Sequence, residues 1–111
     1  MEQPPPFTLA VHPDRDRIRV AATGEIDLVT APFLAAQLEE LLAAGWTDLT
    51  ADLSGVTFLD STGVHVLVAT RRSATERGAA FCVTNGSAAV SQVLRICGVE
   101  DLLTPTAESV E

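Results

Sequence analysis

The chain has 111 residues, of which 47% are hydrophobic, a size and composition typical of one globular domain with a single core. Fifteen acidic residues against seven basic ones give a formal net charge of −8, so binding to nucleic-acid phosphates is not expected. All seven basic residues are arginines, and the absence of lysine excludes a P-loop and Schiff-base chemistry.

No run of about 18 apolar residues is present to span a bilayer, and residues 1–6, with one acidic residue and three prolines, do not resemble a signal peptide. A cytoplasmic protein without membrane contacts is therefore predicted. Cys82 and Cys97 have apolar neighbours and are predicted to be reduced core residues. Glu25 and Asp27 could form a metal or acid–base pair, but no third ligand is apparent, so we expect a polar loop, no metal and no cofactor.

Two strands and a helix are predicted in the first part of the chain. Residues 7–11 and 18–22 alternate between apolar and other side chains, which is the period of half-buried strands. Turn-forming residues at 13–16 separate them, so the two strands should form an antiparallel hairpin. Thr30 is the predicted N-cap of a first helix, which carries four leucines at helical spacing and should end at Gly45.

A third strand is predicted from Trp46 to Leu53, parallel to the second because a helical crossover connects them. Phe58 and Leu59 are then expected in a buried loop that leads into a second helix. The short oxygen-bearing side chain of either Asp60 or Ser61 should cap that helix by accepting hydrogen bonds from its first N–H groups.

The last part of the chain repeats this pattern. The second helix should end near Arg77, and residues 79–84 form a nearly continuous apolar run that predicts a central parallel strand. Ser87 is the predicted N-cap of a third helix that ends at Gly98, and residues 102–104 are predicted as a short edge strand.

The order β-β-α-β-α-β-α predicts a single α/β domain over residues 1–111. Its mixed sheet should have four to five strands, with an N-terminal antiparallel hairpin and a cover of three to four helices. Residues 1–6 and 105–111 are expected to be frayed termini.

Two kinds of chemistry can be considered at the start of the second helix. Ser61 and His65, one helical turn apart, could form a catalytic pair, but Leu59 breaks the G-x-S-x-G pattern and no orienting acid is evident. Asp60 follows an apolar run as the acceptor aspartate of a phosphorelay receiver does, but the lysine of such a receiver is absent. An enzyme is therefore not expected.

Residues 58–64, F-L-D-S-T-G-V, resemble the D-S-[ST]-G signature of STAS-domain anti-sigma factor antagonists. Residues 24–28, G-E-I-D-L, with the Thr-Ala pair that follows, resemble the other recurring stretch of that family, and residues 79–98 are also similar to it. The resemblance implies a STAS fold and a regulatory binding protein. In that family the dephosphorylated antagonist binds an anti-sigma factor, which is also a serine kinase with a histidine-kinase-like ATPase fold, and so releases the sigma factor.

The same resemblance implies how the cycle is switched. The kinase phosphorylates the serine that follows the motif's aspartate, here Ser61, the complex dissociates, and a phosphoserine phosphatase restores the cycle. Thr62 is a less favoured acceptor. Gly63 either lets the partner's backbone approach or relieves crowding in the first helical turn, and His65 stands where many family members carry a small residue. The partner-binding residues implied by the resemblance are Glu25, Asp27, Thr30, Asp60, Thr62, Gly63 and His65. The alternative is a STAS docking subunit of a larger assembly, such as a stressosome-like complex or a lipid-transport system.

Overall fold

The computed structural model describes residues 6–84 and 86–99. Their elements are β1 (Thr8–Asp14), β2 (Arg17–Ile26), α1 (Ala31–Ala43), β3 (Asp48–Leu59), α2 (Ser61–Glu76), β4 (Ala80–Thr84) and α3 (Ala88–Ile96). The strands form one sheet in the order β1-β2-β3-β4, in which β1 is antiparallel to β2 and the other neighbours are parallel. This confirms the predicted mixed α/β sheet with its N-terminal hairpin.

The core lies between the sheet and the helices. Strand β2 buries Ile18, Val20 and Ala22 while Arg17 and Arg19 remain exposed, as the alternation predicted. Helix α1 buries its four leucines, at positions 34, 38, 41 and 42, and α2 packs against both α1 and β4. Helices α1 and α2 contact each other, as expected when right-handed crossovers between successive parallel strands place both on the same face of the sheet.

Strand β3 is longer than predicted. It continues beyond Leu53 to Leu59, so the expected buried loop is wrong: Leu59 is buried in the strand, and Phe58 is 47% exposed. The pairing of β3 with β2 shifts register twice, and at the first shift the backbone N–H of Ser54 donates to the carboxylate of Asp52 at 2.9 Å. Leu53 and Ser54, which lie opposite the single residue Ala22, therefore form a β-bulge that lets the strand continue.

Asp52 is a buried charged residue of β3, and Arg19 donates to its Oδ2 at 2.9 Å. Burial raises the pKa of the Asp52 carboxyl, but hydrogen bonds from Ser54 and from Arg19, with the charge of Arg19, outweigh it and lower the pKa below its ordinary value. The folded protein therefore holds this group as a carboxylate.

Two further predictions need correction. Strand β4 pairs with β3 alone within residues 6–84 and 86–99, so there it lies at the edge of the sheet and not in its centre. Cys97 is exposed beyond the end of α3, while Cys82 is half-buried; both thiols are free. The predicted strand at 102–104 and most of the predicted frayed termini lie outside the described residues. No helix in the described part of the chain has the length and hydrophobicity to cross a bilayer.

Candidate functional site

The two sequence segments singled out above meet at the carboxyl ends of β2 and β3. These parallel strands are in register at Ile26 and Leu59, and the backbone N–H of Asp60 donates to the carbonyl of Ile26 at 3.2 Å. Each strand is followed at once by an aspartate: Asp27 leads through a short turn into α1, and Asp60 leads directly into α2. The structure thus places residues 24–30 beside residues 58–64.

Asp60 is the N-cap of α2. Its backbone is extended, with φ −105° and ψ −173°, and its Oδ1 accepts from the backbone N–H groups of Thr62 at 2.9 Å and Gly63 at 3.2 Å. The hydroxyl of Thr62 also donates to this oxygen. The side-chain hydrogen bond from Thr62, followed by the backbone bonds, lowers the pKa of the Asp60 carboxyl despite some desolvation.

Ser61 is the first residue of α2, and its side chain is exposed. No hydrogen bond of its hydroxyl is found in the described part of the chain, so the cap that was open between two residues belongs to Asp60 and not to Ser61. The neighbouring Thr62 differs because its hydroxyl is bonded to Asp60 and its side chain is half-buried. Of the two adjacent hydroxyls, that of Ser61 is therefore the accessible one.

Asp27 makes, in the turn before α1, bonds similar to those that Asp60 makes at the start of α2. Its Oδ1 accepts from the backbone N–H groups of Val29 at 3.0 Å and Thr30 at 3.1 Å. Thr30 occupies the N-cap position of α1 as predicted, but its backbone is already helical and its side chain makes no capping bond. Its hydroxyl instead accepts from the N–H of Asp27 at 2.9 Å and donates to the carbonyl of Glu25 at 2.7 Å. This reciprocal pair resembles a capping box. It holds the loop in place, and Glu25 is exposed beside it.

Gly63 is buried where α2 rests on the ends of the two strands. A Cβ added at this residue would lie 2.3 Å from Cδ1 of Leu59 and 2.8 Å from Cγ2 of Ile26. Both side chains are buried, so a methyl group has no space. Of the two expectations for Gly63, relief of crowding in the first turn agrees with this geometry, because the residue faces the core and not a partner.

His65 is exposed on α2, one helical turn after Ser61. It lines a groove of about 420 Å³ between α1 and α2, hereafter the α1–α2 groove, with mostly apolar walls. The other residues of the groove are Ala35, Glu39, Val66, Ala69 and Thr70. No carboxylate in residues 6–84 or 86–99 hydrogen-bonds His65, so no orienting acid for a catalytic pair is found there.

One feature of the surface was missed by the sequence analysis. Leu28, Val29 and Phe33 are 73%, 72% and 65% exposed, and Phe58 is 47% exposed. We call these four residues the apolar rim. Leu28 and Val29 lie in the turn before α1, Phe33 lies in the first turn of α1, and Phe58 lies near the end of β3. Large exposed hydrophobic side chains that occur together often mark interaction sites. Phe33 precedes the first leucine of the buried face of α1, a position that could have identified it as outward-facing.

The described residues hold no group of three or more histidine, cysteine or acidic side chains that could bind a metal ion. What the segments at the two strand ends do provide is an exposed serine at a helix N-terminus, flanked by a capping carboxylate and by an apolar rim. Such a surface suits covalent modification and protein binding.

Residues 10–111 match the STAS domain family, so the chain belongs to that family. Among curated relatives, it is 32% identical to the anti-sigma-B factor antagonist of Bacillus subtilis over 99 residues, which cover 89% of this chain and 90% of the relative.

Solved structures show the same fold. A crystal structure of an anti-sigma factor antagonist from Mycobacterium paratuberculosis superposes with a TM-score of 0.81 at 30% identity, covering 94% of this chain and 90% of that one. The anti-sigma factor antagonist SpoIIAA, 20% identical, gives a TM-score of 0.75 in its unphosphorylated form, with coverage of 95% and 92%. A structure of SpoIIAA in the phosphorylated form gives 0.68, with coverage of 95% and 96%.

Proposed function

We propose that this chain is an anti-sigma factor antagonist whose binding is switched off by phosphorylation of Ser61. In the unmodified state it binds an anti-sigma factor that is also a serine kinase, and the sigma factor is released. The kinase then transfers the γ-phosphoryl group of ATP to Ser61: an Oγ–P bond forms, the bond to ADP breaks, and the hydroxyl proton leaves to a base of the kinase. A phosphoserine phosphatase reverses the modification. The chain itself is a substrate in this cycle and not an enzyme, and the cycle takes place in the cytoplasm.

The observation that carries the proposal is the contrast between the two hydroxyls at the start of α2. The Ser61 hydroxyl is exposed, whereas the Thr62 hydroxyl is bonded to the cap. A kinase must reach and deprotonate its acceptor, and a hydroxyl that already donates to a carboxylate is the poorer one. The relatives named above, which match most of this chain at 30–32% identity, are named as anti-sigma factor antagonists.

The fold should tolerate the phosphate. A phosphate at the first residue of a helix lies at the positive end of the helix dipole, where negative charge is stabilised. Asp60 already satisfies the N–H groups of Thr62 and Gly63, so the modification does not have to replace the cap. We therefore expect the modified protein to keep its structure and change only its surface.

The partner interface should not tolerate it. A phosphate brings about −1.5 to −2 charges at neutral pH. The sequence has no lysine or arginine between Arg19 and Arg71, and Asp60 and Asp27 lie beside the modified residue. A partner surface complementary to a neutral hydroxyl and to the apolar rim would have to desolvate this dianion without a lysine or arginine from this region.

A kinase assay tests the assignment. The chain, fixed to a resin, is used to capture its partner from an extract of the host cell, and the captured ATPase is incubated with wild type, Ser61→Ala and Thr62→Val in the presence of ATP. Intact-mass measurement should show one phosphate on wild type and on Thr62→Val and none on Ser61→Ala. Phosphate on the Ser61→Ala protein would show that the acceptor is elsewhere.

Binding provides the second readout. Ser61→Ala should bind the captured partner with wild-type affinity, and protein with phosphoserine at position 61 should bind at least about tenfold more weakly. Capture of a permease or a scaffold protein in place of an ATPase would contradict the proposal and favour the docking subunit. Equal binding of the modified and unmodified proteins would show that phosphorylation is not the switch.

A further inference from the structure

We propose that His65 is the phosphate-binding residue of this switch: in the modified protein its imidazolium pairs with the phosphate on Ser61. The inference rests on the proposed phosphorylation of Ser61 and adds a named partner for the phosphate within the chain itself. It is carried by the position of two exposed side chains on α2 and by the distribution of cationic groups around them.

The geometry of α2 brings the two side chains together. Ser61 and His65 both belong to the helix and are four residues apart, so their Cβ atoms lie about 5–6 Å from each other on one face. Helical side chains lean towards the N-terminus, so the imidazole extends over the preceding turn, in the direction of Ser61. Both residues are exposed, and no hydrogen bond or ion pair of His65 is found in residues 6–84 or 86–99.

The distribution of charge leaves His65 without competitors for this role along this part of the chain. Between Arg19 and Arg71 it is the single basic side chain of the sequence. Arg71 is ten residues after Ser61 along α2, about 15 Å away at the rise of an α-helix. His65 is therefore the basic side chain of α2 that lies nearest to a phosphate on Ser61.

The charged groups that face His65 do not oppose the pairing. From α1, Glu39 lines the same groove, and its carboxylate is already bound by Arg77. At the start of α2, Asp60 directs its Oδ1 to the first-turn N–H groups. The remaining residues of the α1–α2 groove carry no charge. The phosphate would thus be the strongest anionic partner for the imidazole, and protonation of His65 would partly neutralise the modification.

The chain provides its own control. Its two histidines are His65 and His12, and His12 lies on β1 opposite Arg19, seven residues along β2 from the strand end at Ile26. Seven residues of strand span roughly 23 Å, beyond the Debye length of about 8 Å at physiological salt. His12 should therefore not respond to a phosphate on Ser61.

The experiment uses the full chain with phosphoserine incorporated at position 61 during translation, so that no kinase is needed. Imidazole C–H resonances are followed by NMR as pH is varied, with and without the phosphate. We expect the titration midpoint of His65 to rise by roughly half a pH unit, the scale of an exposed pair one turn apart in which one partner is a dianion. The midpoint of His12 should stay constant. Equal movement of the two midpoints, or none, would overturn the proposal.

Phosphorus NMR provides a reciprocal measurement on the same proteins. The second proton of the phosphate should dissociate at lower pH in wild type than in His65→Gln, and at still lower pH in His65→Arg, which is always cationic. The same phosphate midpoint in wild type and His65→Gln would exclude the pairing. Because phosphoserine is built in, either result leaves the separate question of whether a kinase modifies Ser61 to the assay described above.

Discussion

Replacing Gly63 with alanine tests whether this residue is required for packing. At an unhindered helical position the change from glycine to alanine stabilises a helix by up to about 1 kcal/mol. Here the added methyl group would approach the buried side chains of Leu59 and Ile26 to 2.3 and 2.8 Å, well inside contact distance. Overpacking of a filled core costs about 1–3 kcal/mol, so we expect a net loss of about 1–2 kcal/mol in the free energy of unfolding.

Urea unfolding at neutral pH measures this loss as a fall in the midpoint without a change in slope. A second variant identifies its cause, because valine in Leu59→Val is one carbon shorter and has no Cδ1, the atom that the alanine would meet. Combined with Leu59→Val, the Gly63→Ala change should cost less than it does alone, since the two residues are in direct contact.

Two results would refute this reasoning. A gain in stability from Gly63→Ala would show that the helix start shifts to make space at little cost. If Gly63→Ala keeps wild-type stability but no longer binds the partner, the alternative expectation is supported, namely that Gly63 lets the partner's backbone approach. In that case the double variant should bind no better than the single one.

Three further outcomes follow from the contacts described. Asp60→Ala should lower the free energy of unfolding by about 1 kcal/mol, and Ser61→Ala should lower it by less than about 0.5 kcal/mol. If urea unfolding shows the same loss of stability for both variants, the assignment of the cap to Asp60 is contradicted. Asp52→Asn should cost about 1–2 kcal/mol at neutral pH. Because the folded pKa of the Asp52 carboxyl lies below its unfolded value, the folded state binds this proton less readily, so its contribution is present above about pH 4 and is lost as pH falls further. Urea unfolding of wild type and Asp52→Asn checks this, and a stability difference as large at acidic pH as at neutral pH would contradict it. Leu28→Ser should weaken binding to the captured partner by about tenfold or more without loss of stability. As a control, Ile96→Ser changes an equally exposed residue of α3 and should leave binding unchanged. Equal effects of the two substitutions on binding would show that the apolar rim is not part of the interface.

The elements that the sequence predicted well are those whose pattern depends on burial alone. The alternation of Ile18, Val20 and Ala22 identified β2, and the leucine spacing identified the buried face of α1, because side-chain period directly reflects which face meets the core. The end of β3 was not predictable in this way. Ser54 and Gly55 are typical turn residues, and whether the chain turns there or continues as a strand through a bulge depends on pairing with β2, which the pattern within one strand does not contain.

The predicted N-cap Ser87 of α3 is confirmed, whereas the cap of α2 was left open between two residues for a different reason. Asp60, Ser61 and Thr62 are consecutive residues that can all cap helices, and only the backbone decides among them: the capping residue is the one that is still extended before the helical turn begins. Thr30 occupies the predicted N-cap position of α1, but its backbone is already helical and its side chain makes no capping bond. The adjacency of the two segments, by contrast, followed from topology, since two parallel neighbouring strands end at the same edge of the sheet.

The junction between β3 and α2 consists of a single residue. The strand ends at Leu59, Asp60 is the cap, and Ser61 already belongs to the helix. A kinase that acts on Ser61 therefore cannot draw it into a cleft as an extended peptide without unwinding the first turn of α2 and breaking the bonds to Asp60. It has to recognise the assembled end of the sheet, and the specificity of the modification is then a property of the tertiary structure. A short peptide with the sequence of residues 54–69 would carry the same serine and be a poor substrate.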